Sequence, residues 1–66
     1  MLSKRIKELL IIHKMTKEEL AEKCGLPIET VRNIYYGKTT DPKVSTLIKI
    51  SNVLNTSVNS LMGESV

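Results

Sequence analysis

An all-α fold of five short helices follows from three features of this sequence. Apolar residues recur at three- and four-residue spacing along nearly the whole chain, and no segment alternates as a strand would. Helix-starting residues (Ser3, Thr16, Pro27, Asp41-Pro42, Ser57) and helix-stopping residues (Gly25, Gly37, Asn55, Gly63) punctuate that pattern at short intervals. Sixty-six residues, 41% of them hydrophobic, suit one small domain over residues 1–66. Such a domain buries only about 60% of its unfolded surface, so modest stability is expected.

In the first helix Ser3 is the expected cap, and Ile6, Leu9, Leu10 and His13 share a face. Lys4, Arg5 and Lys7 crowd its first turn and read as a solvated basic face. The second helix, about 16–24, opens with a capping box. The Thr16 hydroxyl takes the N3 amide while Glu19 reaches back, and Met15 and Leu20 occupy the positions of a hydrophobic staple. Leu20, Ala21 and Cys24 face inward, Cys24 as a core residue, and Gly25 ends the helix in a left-handed conformation.

A third helix, about 28–36, starts at Pro27 or Ile28, turns Val31, Ile34 and Tyr35 inward, and stops at Gly37. Lys38-Thr39-Thr40 is a loop. Asp41 followed by Pro42 reads as an N-cap with proline at the first helical position. Val44, Leu47, Ile48, Ile50, Val53 and Leu54 would form the apolar side of this fourth helix, with Asn55 as its left-handed terminator. Ser57 caps a last helix carrying Val58, Leu61 and Met62 and ending at Gly63.

Composition narrows the function. Ten Lys and Arg against seven Asp and Glu give a net charge of +3 and an isoelectric point near 9.2. That excess permits an anionic partner without requiring one. Tyr35 and Tyr36 are the only aromatic residues, too few for a base-stacking RNA platform. A single cysteine forms no internal disulfide and no cysteine-based zinc site, which fits a reducing cytoplasm. The longest apolar run, Leu9 to Ile12, is far short of the ~20 residues that span a bilayer, so no membrane partner is expected. The N-terminus lacks the apolar stretch of a signal peptide. His13 has no companion ligand and is expected half-buried; no metal or cofactor is implied. No carboxylate pair, Ser-His set or phosphate-cradling loop appears, and an enzyme is not expected.

Residues 17–36 carry the informative constellation. Two helices crossing steeply over a short turn need a small residue at the crossing, which Ala21 supplies. They need a residue tolerant of positive φ in the turn, which is Gly25. Leu20, Cys24, Leu26, Val31 and Ile34 point into the angle. With these stand Arg5-Ile6-Lys7-Glu8-Leu9, Met15 through Lys23, Gly25-Leu26, Gly37-Lys38, Asp41-Pro42, Leu47-Ile48-Lys49-Ile50 and the tail Asn55 to Met62. On these pieces the chain resembles the lambda-repressor-like (XRE) helix-turn-helix family over nearly its whole length.

The resemblance implies a transcriptional repressor or regulator that binds double-stranded DNA, with the third helix as recognition helix in the major groove. Its candidate contacts are Ile28, Glu29, Thr30, Arg32, Asn33 and Tyr36. Arg32 suits guanine O6 and N7, Asn33 adenine, Ile28 a thymine methyl and Glu29 cytosine N4. Lys17 stands where the family commonly has a glutamine that meets phosphate, and Lys38 and Lys43 flank the same backbone. Glu18, Glu22 and Glu64 are expected away from the DNA. The family often pairs an arginine in the first helix with a glutamate after the recognition helix. Leu10 and Tyr35 occupy those positions, so an apolar contact between them is expected.

Related regulators commonly dimerise near the last two helices. That implies a homodimer on a palindromic operator, with Val58, Leu61 and Met62 at the interface and Ile12 as a further unexplained apolar residue. The competing reading is a protein-interaction module of antitoxin or anti-repressor type, for which Ile28 and Tyr36 would serve. A third is a reading head of a longer regulator; the lack of a linker-like tail before Val66 favours a complete small protein.

Overall fold

The computed structural model describes residues 2–39 and 41–62, which run as five helices with no strand among them. These are α1 (Leu2–Ile12), α2 (Lys17–Cys24), α3 (Ile28–Tyr35), α4 (Val44–Val53) and α5 (Val58–Leu61). Met1, Thr40 and the terminators and charges expected at Gly63 and Glu64 lie outside the described residues.

Four successive helix ends close by one device. After α2, Leu26 N–H donates to Ala21 O and Gly25 N–H to Glu22 O, with Gly25 at φ 70°. After α3, Lys38 N–H reaches Asn33 O and Gly37 N–H reaches Ile34 O, with Gly37 at φ 77°. The same paired bonds follow α1 around Lys14 (φ 52°) and α4 around Asn55 (φ 53°). Each is a Schellman closure, in which one left-handed residue satisfies carbonyls that the helix leaves free. Gly25, Gly37 and Asn55 announce themselves by residue type. Lys14 does not, because only its position after the apolar stripe of α1 makes it turn.

Helix starts are less uniform. Thr16 forms the complete capping box, its Oγ1 accepting from Glu19 N–H at 3.1 Å while its own N–H donates to Glu19 Oε1 at 3.0 Å. Ser57 Oγ accepts from Ser60 N–H in the same manner. Ser3 lies inside α1 rather than at its start, and Leu2 already joins the core. Asp41 is not a cap either. Pro42 is followed by Lys43 in an extended conformation (ψ 147°), so α4 begins only at Val44.

The core draws on every helix. Ile6, Leu20, Val31, Ile34, Ile50, Leu54 and Leu61 are fully enclosed. α1 packs on α3 and α5, while α2 packs on α3 and α4. The buried stripe of α4 is Leu47, Ile50 and Ser51, continued by Leu54. Six apolar residues are too many for one such stripe, so Val44 and Ile48 face solvent. Buried Ser51 donates to Ile48 O at 2.9 Å and so needs no distant partner. His13 is exposed, because α1 ends one residue before it. Arg5 is half-buried rather than part of a solvated face: its guanidinium donates to Ser60 O and Oγ at 3.2 and 3.1 Å and so ties α1 to α5.

The left-handed closures yield opposite outcomes at two positions. A Cβ at Gly25 would meet nothing within 4 Å, so the cost of a side chain there is backbone strain alone. Gly25→Val should therefore lower stability by more than about 1 kcal/mol and Gly25→Asn by less. Lys14→Gly should raise it by about 0.5–1 kcal/mol. Urea denaturation checks all three, and unchanged midpoints throughout would contradict the closures.

Candidate nucleic-acid interface

Eight residues make α3 about 12 Å long, against a major groove roughly 12 Å wide. Val31 and Ile34 anchor it in the core. That burial leaves Glu29, Arg32 and Tyr36 exposed at a three- and four-residue spacing, on one outward face. Tyr36 is 58% exposed. Ile28, expected on this face, is half-buried and packs against the core, because it lies three residues before Val31 on the inward stripe.

The two flanks of α3 differ. On one flank Thr30 and Asn33 are half-buried and line a hollow with Thr39, Asp41 and Lys43 of the following connection. The Asn33 carbonyl accepts from both Lys38 and Thr39 N–H, which holds the start of that loop against α3. Lys38 and Lys43 are exposed beside it.

On the other flank Tyr35 and Tyr36 meet edge to face, with ring centroids 5.0 Å apart. Lys17 Nζ sits 4.5 Å from the Tyr35 centroid and 5.6 Å from that of Tyr36. Lys7 Nζ approaches Tyr35 from α1 at 5.3 Å. The negative face of an aromatic ring attracts an ammonium at these distances. Leu10 and Tyr35 line one hollow here. Composition alone did not reveal this platform, because Lys7 and Lys17 are distant from Tyr35 in sequence.

Arg32 is likewise engaged. It donates to Glu29 Oε1 at 3.1 Å and lies 4.0 Å from Glu18 Oε2. Glu18, expected away from the DNA, lies beside Arg32 on the outward face of α3, because α2 packs against α3. Glu22 is exposed. Cys24 is buried, with Sγ 3.7 Å from Lys49 O, and burial pushes its thiol up against a smaller opposing pull from Lys49.

In α5 Leu61 is fully enclosed and offers no surface to a second copy, whereas Val58 and the following Met62 are partly buried against the core. Ile11 and Ile12 are exposed at 76% and 67%. Among the described residues no helix is long and apolar enough to cross a membrane.

Two helices joined by a left-handed turn, the second presenting a polar face between lysines, define a helix-turn-helix. The helix-turn-helix family model matches residues 6–61, and the chain belongs to that family in its XRE-type, lambda-repressor-like form. Fold and family are those of DNA-binding regulators. Among solved structures, a chain of the SinR protein/SinI protein complex is similar, with 34% sequence identity and a TM-score of 0.90. The similarity covers 97% of this chain and 62% of that one, so this chain spans less than two thirds of its relative. Comparison with curated protein sequences gives no match.

The aromatic platform makes Lys17 and Tyr35 energetically coupled. A double-mutant cycle with Lys17→Met and Tyr35→Leu should return an interaction of about 0.5–1 kcal/mol in thermal or urea unfolding. Strict additivity would mean that the lysine is not held by the ring.

Proposed function

We propose that this chain is a sequence-specific, double-stranded-DNA-binding transcriptional repressor that places α3 in the major groove. The observation that carries the reading is the outward polar face of α3, flanked by Lys17 on one side and by Lys38 and Lys43 on the other. Phosphate contacts from the lysines set register, and Arg32, Asn33, Thr30 and Tyr36 read base edges between them, with Glu29 paired to Arg32 on the same face. Ile28 retains at most its exposed edge for a thymine methyl, since it packs against the core. The single buried cysteine suits work in a reducing cytoplasm.

The working form we propose is a homodimer on a palindrome. One recognition helix covers few base pairs, and a second half-site one helical turn away multiplies affinity and specificity. With Leu61 enclosed, an interface on α5 falls to Val58 and Met62. A protein partner is the second reading. Its support is that the similar solved chain comes from a complex of two proteins. Against α3 as that partner's surface stands the loss of Ile28 from the exposed face.

One set of binding measurements separates these readings. Lys17→Ala, Lys38→Ala and Lys43→Ala should weaken binding to all duplexes and each lower the salt slope by about one phosphate. Arg32→Ala or Asn33→Ala should cost roughly 1–3 kcal/mol on a selected site and spare random DNA. Indifference of all three lysine variants would contradict the docking face. Equal binding to a half-site and a palindrome would contradict the dimer.

A further inference from the structure

Arg32 is the cation best placed for base recognition, yet in the free protein it is not a free charge. One terminal nitrogen donates to Glu29 from the preceding turn of α3, and the other faces Glu18 across the gap to α2. Two carboxylates around one guanidinium leave the trio with one net negative charge. All three side chains are about half exposed or more, so these pairs are screened and add little to folding stability. Their consequence lies elsewhere, in what Arg32 can offer a ligand.

A guanidinium carries five N–H donors, two of them on each terminal nitrogen. Glu29 takes one of them, while Glu18, 4.0 Å away, is beyond hydrogen-bond reach and acts through its charge, so at least one donor remains on each terminal nitrogen. Two such donors match the two acceptors, O6 and N7, that guanine shows in the major groove. A phosphate draws on the guanidinium's charge and must compete with both carboxylates for it. A guanine needs only the two remaining donors and can leave the carboxylates in place.

We propose that Glu18 and Glu29 are specificity-determining positioning residues, which cancel Arg32's attraction to phosphate and hold its guanidinium for guanine. This rests on the DNA-reading role proposed above and deepens it. Glu18 comes from α2 and meets Arg32 only because the two helices pack together. It lies in the first turn of α2, where the helix dipole also favours an acid.

The test compares the best-bound duplex selected from a random pool with a scrambled duplex of the same composition. Glu18→Gln and Glu29→Gln should each strengthen binding to the scrambled duplex by about two- to fivefold and steepen its salt slope by up to about one ion. Preference for the selected duplex should fall correspondingly. Glu22→Gln, which removes an equal charge from an exposed site of α2, should leave that preference unchanged. In an Arg32→Ala background Glu18→Gln should do nothing further. Equal gains on both duplexes, or the same gain with and without Arg32, would reduce Glu18 to general charge repulsion and overturn the proposal. Absence of any duplex binding by the unmodified protein would instead remove the DNA-reading role beneath it. The pairing is also read without DNA: Glu18→Gln should speed rotation of the Arg32 guanidinium in NMR exchange measurements, and unaltered rotation would overturn the pairing itself.

Discussion

The turn at Gly25 is the constraint from which the rest of the interface follows. A left-handed residue there lets Leu26 bond back to Ala21, and small, buried Ala21 allows close packing where the helices cross. Leu20, Val31 and Ile34 then fill the angle completely. With that angle set, the first turn of α2 stands beside the outer face of α3. Lys17 reaches the tyrosines and Glu18 reaches Arg32 for this reason alone. Local backbone chemistry thus decides which charges become neighbours.

Those charges are individually weak. Exposed ion pairs contribute roughly 0–1 kcal/mol, and cation–π contacts at such sites about as much. None of them holds the fold, which depends on seven enclosed apolar side chains drawn from all five helices. Weak interactions suit an interface that must exchange partners. Lysines beside aromatic rings and an arginine between two carboxylates give way at small cost.

Much of the architecture could be read directly from residue types. The capping box at Thr16, the closures at Gly25, Gly37 and Asn55, and the inward set Leu20, Ala21, Cys24, Val31 and Ile34 are each dictated by chemistry within a few residues. What could not be read depended on distance or on competition. Asp41-Pro42 has the form of a helix start, but an extended Lys43 delays α4 so that Leu47, Ile50 and Leu54 can reach the core. Ile28 and Leu61 looked available because apolar spacing does not say how wide a buried stripe will be. Glu18 beside Arg32, Lys7 beside Tyr35 and Arg5 beside Ser60 are tertiary meetings that no local pattern encodes.

We propose the face built by α3, the start of α2 and the connection into α4 as the surface that meets duplex DNA. Amide chemical shifts followed by NMR during titration with a selected duplex test it most directly, since they locate the contact without altering the protein. Shifts should concentrate at Lys17, Glu18, residues 28–38 and Lys43 and grow as salt is lowered, with Ile12 and α5 little affected on an isolated half-site. Shifts centred on Ile12 or α5 under those conditions, with α3 unchanged, would contradict that docking face.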